Sequence, residues 1–239
     1  MPAPARREIR EFLDTPGQDP RALAALLSDL RRVNFRYGGL RLVLHYLDAF
    51  ARQIPRRPLR VLDVATGGAD IPVAITAWAA RRGIAVRVVA VEVNPAVLVR
   101  ARERTEREGV AVALVRADAL RLPFGDDVFD IVNCGLTLHH FAEDDAIGLL
   151  REVDRVAGGA FVIHDVVRSW ASYAGAWLDT RLFARSSLAR HDGPVSVLRA
   201  FTVPEMRDLL DRAGLFSARV RRHGGFRAAL VRPPADSRP

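Results

Sequence analysis

The sequence of 239 residues contains a single cysteine, Cys134, so an internal disulfide cannot form. One cysteine is typical of proteins in a reducing compartment, and it predicts a cytoplasmic location. No group of cysteine and histidine residues has zinc-site spacing, so we expect no bound metal. No apolar run approaches the ~18 residues of a membrane helix. The charged segment 1–11 lacks the apolar centre of a signal peptide.

Lysine is also absent, because all 36 basic residues are arginine. The net charge of +8 would suit a nucleic-acid partner, but the arginines occur in short, scattered groups and glutamates lie among them elsewhere. This pattern favours a solvated surface and makes nucleic acid an unlikely partner. An RNA-binding face stays open as an alternative.

Apolar runs alternate with helical patterns along most of the chain. The first predicted strand contains Val61, Leu62 and Val64, and others cover residues 86–91, 112–115, 129–134 and 160–163. The predicted helices cover residues 21–33, 40–54, 70–82, 95–108, 143–155 and 202–213. Strands and helices that alternate at these lengths predict an α/β fold with a doubly wound, mostly parallel sheet.

The chain is organised around the stretch from Leu59 to Ala74, where a strand, a glycine turn and a helix start follow one another. Bare backbone at such a turn lets a ligand approach the N–H groups of the helix N-terminus. Asp63 lies on the strand just before the turn. The stretch therefore predicts a nucleotide-binding corner.

Acidic residues follow the first three predicted strands. Asp63 and Asp70 flank the glycine turn, Glu92 ends the second strand, and Asp118 follows the third. Ligands of open α/β sheets bind at these strand ends. A carboxylate at Glu92 can accept hydrogen bonds from both hydroxyls of a ribose. Each acid alone could be a loop residue or a helix cap, but their joint placement indicates a site.

These features resemble class I S-adenosylmethionine-dependent methyltransferases, in particular the quinone-biosynthesis and small-molecule group. The resemblance covers residues 59–232, although Ala65 and Ala69 replace two of the three usual glycines. It implies a seven-stranded Rossmann-like sheet that closes with an antiparallel hairpin, and S-adenosylmethionine as cofactor. The implied cofactor-binding residues are Asp63, Ala65, Gly67, Asp70, Glu92, Val93, Asp118, Ala119 and Asn133.

The methyltransferase domain is expected to cover residues 58–232, with a disordered tail at 233–239. Residues 1–57 contain a helical pair that either packs against the domain or forms a lid over the ligand. Residues 166–201 interrupt the strand–helix rhythm and are rich in aromatic residues. They form either a substrate cap with aromatic walls or an ordinary packed helical hairpin.

Residues at the end of the fourth strand and after it indicate which kind of acceptor is methylated. Base-specific amino-methyltransferases resemble one another in an Asn/Asp-Pro-Pro-aromatic turn, which is missing here. The chain has His139 and His140 instead, with Asp165 after the fifth strand. An imidazole oriented by a carboxylate can take the proton of a hydroxyl group. His191 in the insertion is a second candidate base, and the histidine pair could also be structural.

The sequence thus predicts an enzyme that methylates a small aromatic or polyketide/quinone-like hydroxyl compound, with a homodimer as an open option. An RNA methyltransferase and a protein that binds S-adenosylmethionine without catalysis are the alternatives. An NAD-binding oxidoreductase is disfavoured, because the turn lacks Gly-x-Gly-x-x-Gly.

Overall fold

The computed structural model describes residues 2–15, 17–54 and 58–235. The strands are β1 Leu59–Val64, β2 Val86–Glu92, β3 Val112–Arg116, β4 Phe129–Gly135, β5 Ala157–Val166, β6 Arg219–His223 and β7 Arg227–Arg232. The α-helices are α1 Pro20–Arg36, α2 Gly39–Ala51, α3 Asp70–Arg82, α4 Pro95–Arg107, α5 Glu143–Val156, α6 Trp170–Phe183, α7 Ser187–Arg199 and α8 Val203–Ala213. Two short 3-10 turns cover Phe12–Asp14 and Leu138–His140.

The seven strands form one sheet in the order β3-β2-β1-β4-β5-β7-β6. The first five strands are parallel, and β7 runs antiparallel to both β5 and β6. The predicted Rossmann-like methyltransferase fold with its antiparallel hairpin is therefore confirmed. The strand order reverses between β1 and β4, which is where open α/β sheets bind ligands.

Apolar side chains cover both faces of the sheet. Helices α2 and α3 pack on one face, around the fully buried Val61 and Ile75. Helices α5 and α8 pack on the other, around Phe161 and Met206. A capping box formed by Thr202 and Glu205 starts α8. Because both faces are covered, the parallel strands can be apolar along most of their length. The edge strand β6 is mostly charged and largely exposed instead.

Two predicted boundaries need correction. Strand β5 begins at Ala157 rather than at residue 160, because Gly158 and Gly159 lie too close to neighbouring backbone for any side chain, so no apolar pattern marks this stretch. Helix α1 continues through Asn34, which was expected in a loop; only Tyr37 and Gly38 separate it from α2. Residues 55–57 of the expected linker and 236–239 of the expected tail lie outside the described residues.

Helices α6 and α7 form a hairpin between β5 and α8, which we call the cap hairpin. Gly193 lets the two helices approach closely, because a Cβ atom there would stand 2.6 Å from Cγ2 of Thr180. Helix α1 packs against α7 and also against α2. Within the ranges described, no helix has both the length and the apolar character of a membrane span.

Candidate active site

The glycine corner, residues 65–69, joins β1 to α3 beside a cavity of about 590 Å³. Its backbone alternates through the left-handed region, with φ of 54° at Ala65, 56° at Gly67 and 59° at Ala69. This conformation costs an alanine roughly 1–2 kcal/mol. Replacement of two glycines by alanine therefore adds strain and leaves the sharp turn of the backbone in place.

Glu92 ends β2 and points back toward the glycine corner. Its carboxylate accepts the backbone N–H of Gly67 at 3.0 Å and that of Asn94 at 3.0 Å. Burial raises the pKa of this carboxyl group. Each oxygen keeps a second lone pair, so the carboxylate can still accept hydrogen bonds from a vicinal diol in the cavity.

The next part of the cavity rim follows β2 and β3. Asp118 is exposed and accepts the backbone N–H of Leu120 at 2.9 Å, and the neighbouring Ala119 is buried. Val93 is exposed on the same rim. A flat, partly polar group would lie between these residues.

Asp63 and Asn133 stand opposite each other in the register of β1 and β4, and the Asn133 amide donates to Oδ1 of Asp63 at 2.6 Å. Burial, with the nearby Asp70 and Glu92 carboxylates, raises the pKa of Asp63 to about 7. Oδ1 of Asn133 is buried without a hydrogen-bond partner in the described chain. Polar atoms in this position indicate a ligand that carries both positive charge and donors.

The 3-10 turn Leu138–His140, which we call the histidine turn, lines the cavity on the far side of β4. Asp165 accepts the backbone N–H of His139 at 2.9 Å and binds its Nδ1 at 2.8 Å. Although burial opposes the charge, Asp165 and Glu11 raise the pKa of His139 to about 10. His139 therefore keeps its proton at neutral pH, and the predicted role of a base is left to His140.

His140 lies beside His139 with the two ring centroids 4.3 Å apart. Its Nδ1 binds Oδ1 of Asp14 at 2.7 Å, and Asp14 also accepts from Arg199. The Arg199 guanidinium is buried and donates to the backbone oxygens of both histidines. The orientation of the His140 ring is thus fixed from its Nδ1 side.

Residues 2–14, which we call the N-terminal segment, cross over the histidine turn. The backbone N–H groups of Phe12 and Leu13 donate to the buried carboxylate of Asp192 in α7. Arg6 donates to the backbone oxygen of Phe141 at 2.6 Å. These contacts bring Glu11 against the two histidines, where its side chain is buried.

The cavity is covered by α1 and the cap hairpin, which are tied together at one carboxylate. Asp179 in α6 accepts two hydrogen bonds from Arg32 and one from the Tyr37 hydroxyl at 2.6 Å. Bidentate arginine–carboxylate pairs are geometrically specific contacts. The cover therefore has a defined position over the cavity.

The chain is similar in sequence to known methyltransferases. A family model described as a methyltransferase domain matches residues 61–158. The demethylmenaquinone methyltransferase of Deinococcus radiodurans is 32% identical over 187 residues, which cover 72% of this chain and 74% of that protein. The chain belongs to the class I S-adenosylmethionine-dependent methyltransferases.

The chain spans about half the length of other curated relatives that it matches. The demethylmenaquinone methyltransferase of Thermus thermophilus is 34% identical over 111 residues, 46% of this chain and 48% of that protein. A crystal structure of an S-adenosylmethionine-dependent methyltransferase from Aquifex aeolicus superposes with a TM-score of 0.60 over 92% of this chain and all of that one. At 18% identity, this last likeness shows the fold.

S-adenosylmethionine is thus the cofactor of this methyltransferase, and the cavity fits it. All nine residues that the sequence assigned to cofactor binding line the cavity. The unpartnered Oδ1 of Asn133 and the buried carboxylate of Asp63 would face its charged end, and the Glu92 carboxylate has free lone pairs for its ribose.

Two groups of residues considered for acceptor binding in this methyltransferase, His191 and the aromatic residues of the cap hairpin, lie outside the cavity. His191 lies outside the cavity, where its ring packs on Phe12 and its Nδ1 binds Asp192. Of the two alternatives for residues 166–201, the structure does not show the aromatic wall: Trp170, Trp177 and Phe183 are about half exposed on the outside of the cap hairpin. The hairpin lines the cavity with small residues instead, among them Ser172, Gly175, Ala176, Ala189 and Gly193.

Sequence reasoning also missed several charged residues of this methyltransferase. Glu11, Asp14 and Arg199 join the histidine turn from distant parts of the chain. His164 and Arg227 are buried in the cavity wall, and both ring nitrogens of His164 and Nη1 of Arg227 have no hydrogen-bond partner within the described ranges. The Glu-x-x-Asp spacing of Glu11 and Asp14 was the one local signal, and it predicts only a cap.

Proposed function

We propose that this methyltransferase methylates a small hydroxylated aromatic or quinol-like ring. One observation carries the proposal: a single cavity extends from the glycine corner to the histidine turn. Bound at the corner, S-adenosylmethionine supplies a methyl group on a positively charged sulfonium. The remaining space next to His139 and His140 is where the acceptor would lie.

The walls of this space suit a flat, apolar ring with a few oxygens. Leu26, Leu30 and Val33 of α1 line one side, and the small residues of the cap hairpin leave room opposite. Burial and the adjacent Arg227 charge lower the pKa of His164 to about 3, so this ring stays neutral. A neutral imidazole offers one donor and one acceptor, and together with Nη1 of Arg227 it would bind an acceptor oxygen.

We infer that α1 and the cap hairpin act as a lid. They enclose the reacting groups, and a water-poor cavity strengthens electrostatic interactions within it. The hydrogen bonds of Asp179 with Arg32 and Tyr37 would hold the lid in place. A closed lid keeps the reactants aligned, and such alignment can lower the reaction barrier by several kcal/mol. In this proposal the N-terminal segment, α1, the histidine turn and the cap hairpin serve the acceptor, while residues 59–135 serve the cofactor.

Two positions of the ring can receive the methyl group. The sequence favours the hydroxyl oxygen, because a histidine pair with a downstream aspartate is shared with some O-methyltransferases. The printed names of similar proteins include demethylmenaquinone methyltransferase and ubiquinone/menaquinone biosynthesis C-methyltransferase, which favours a ring carbon. A hydroxyl group that ionises activates both positions. A homodimer and the lack of a nucleic-acid partner stay predictions.

The proposal is tested with labelled S-adenosylmethionine and a panel of phenols, naphthols and reduced naphthoquinones, alongside a structured RNA. We expect methyl transfer to at least one ring compound, and NMR of the product separates a methoxy group from a ring methyl group. Transfer to RNA with none to any ring compound would refute the proposal. Calorimetric titration with S-adenosylhomocysteine checks separately that the protein sample binds its cofactor product.

A further inference from the structure

Two histidines and a glutamate, side chains of types that can bind a metal ion, come from two distant parts of the chain and meet on one wall of the cavity. Nε2 of His139 lies 3.4 Å from Oε1 of Glu11, and Nε2 of His140 lies 3.9 Å from Oε2 of Glu11. The three ligand atoms fall within 4.8 Å of one another. Ligand atoms about 2.1 Å from a tetrahedral ion stand about 3.4 Å apart, so only a small closure would bring all three into coordination.

The histidines are oriented as metal ligands usually are. Each Nδ1 is bound to a carboxylate, from Asp165 for His139 and from Asp14 for His140. With the Nδ1 proton directed at a carboxylate, the lone pair of a neutral imidazole is on Nε2. Metal-binding histidines almost always have such an outer partner, which fixes the tautomer and the ring orientation. Both Nε2 atoms then face Glu11.

The charges of the cluster leave room for a divalent cation. Glu11, Asp14 and Asp165 contribute three carboxylates. Arg199 contributes one guanidinium, which binds Asp14 and lies 3.8 Å from Oε1 of Glu11, beyond hydrogen-bond distance. His139 holds a proton in the metal-free chain, and an ion that binds at Nε2 displaces this proton. With both imidazoles then neutral, two negative charges are left for the ion to balance. Oε1 of Glu11 is buried and makes no hydrogen bond within the described residues. A buried carboxylate oxygen without a partner is costly unless a cation or a donor satisfies it.

We propose that Glu11, His139 and His140 bind one divalent transition-metal ion of the zinc class. Two imidazoles and a carboxylate are a ligand set used by catalytic zinc sites, in which the fourth position stays open. Magnesium is disfavoured, because it prefers oxygen ligands and keeps its waters. All three side chains line the cavity, so the open position faces the space assigned to the acceptor.

The use of this ion rests on the proposed function, whereas its binding does not. An oxygen bound to a divalent ion ionises more readily than a free one. A hydroxyl oxygen of the acceptor at the open position would lose its proton to solvent as it binds. The ion would then supply the activation that a histidine base was expected to supply.

The test is a titration of tag-free protein, stripped with a chelator, with Co²⁺ and with Zn²⁺ at constant pH. Calorimetry should give one ion per chain, and the visible absorption of Co²⁺ should show a four- or five-coordinate nitrogen and oxygen environment. In Glu11→Gln and His140→Gln the ion should bind more than about 100-fold more weakly, beyond the 10- to 100-fold that loss of an outer partner costs.

His223→Gln is the matched control, because His223 is bound to Tyr46 away from the cavity. It should bind the ion as the unchanged protein does. Circular dichroism and S-adenosylhomocysteine affinity, measured on every variant, show that the fold and the cofactor corner survive. If either substitution unfolds the chain, Asp165→Asn serves in its place, with binding weakened by about 10-fold or more.

Absence of Co²⁺ and Zn²⁺ binding by folded protein would overturn the proposal. So would equal affinity in the unchanged protein, Glu11→Gln and His140→Gln, because the ion would then bind elsewhere. These results do not depend on turnover, so they are distinct from a failure of the proposed function. An ion that binds as described to a protein without activity on ring compounds would support the site and refute only its use.

Discussion

The cofactor half and the acceptor half of the cavity are built in different ways. The cofactor half lies within residues 59–135, and each of its polar residues lies near the carboxyl end of a strand or in the segment that follows it. The acceptor half combines the N-terminal segment, the histidine turn and the cap hairpin, which are far apart in the sequence. Local patterns therefore report on the first half, and only the folded chain shows the second.

The largest effect that tests this division is expected from Glu92→Ala. The carboxylate supports Gly67 and Asn94 and would hold the ribose, and hydrogen bonds to a charged group contribute about 1.5–3 kcal/mol. We expect affinity for S-adenosylmethionine to fall roughly 10- to 150-fold in calorimetry. Glu103→Ala, which removes an exposed carboxylate of α4, is the control and should leave the affinity unchanged. Equal affinities in both variants would contradict the assignment of the cofactor half.

Asp192→Ala should affect the other half alone. It removes the buried acceptor of the Phe12 and Leu13 N–H groups, so the N-terminal segment loses its anchor on α7. We expect kcat/KM for the acceptor to fall about 10- to 100-fold, with S-adenosylhomocysteine affinity within about twofold. Hydrogen exchange of residues 2–14 should become faster. The exposed Asp144 gives the control, Asp144→Ala. A loss of cofactor affinity instead would mean that the two halves are not separable.

A smaller effect is expected from pH. Burial raises the pKa of Asp63 to about 7, so this carboxyl group is increasingly protonated as the pH falls below 7. The cationic cofactor favours the ionised form, and its affinity should therefore rise by roughly eightfold between pH 6 and pH 7.5. Asp63→Asn should bind more weakly and lose this dependence. A pH profile of binding that is the same for both proteins would assign the titration to another group.

Much of the fold could be predicted because the apolar runs and helical patterns are local and regular. The cofactor half followed, since strand ends in a parallel sheet meet along one edge. Asp118 and Glu92 could be placed in this way without any tertiary information. The departure from the family's glycine pattern, alanine at positions 65 and 69, is also a matter of local backbone conformation, because both residues have a positive φ.

The contacts of the acceptor half could not be predicted from the sequence, and the reasons are physical. Glu11 lies 128 positions before His139, and no periodicity connects a coil segment with a turn after β4. The ring of His139 was visible in the sequence, but the carboxylates on both of its sides, which raise its pKa, were not. Aromatic richness in the cap hairpin indicated a wall, yet the sequence cannot say which face of an all-round apolar helix points inward.

The smallest effect should come from the outside of that hairpin, and it tests the correction of the aromatic wall. Trp177 in α6 is about half exposed and does not line the cavity, while its neighbour Ala176 does. We expect Trp177→Ala to leave acceptor KM within about twofold, because the side chain makes no wall of the cavity. Ala176→Leu adds three carbons to the lining, and overpacking typically costs about 1–3 kcal/mol. Acceptor KM should therefore rise about 5- to 150-fold at unchanged S-adenosylhomocysteine affinity. If Trp177→Ala raised KM and Ala176→Leu did not, α6 would present its aromatic face to the acceptor, in agreement with the alternative of a substrate cap with aromatic walls.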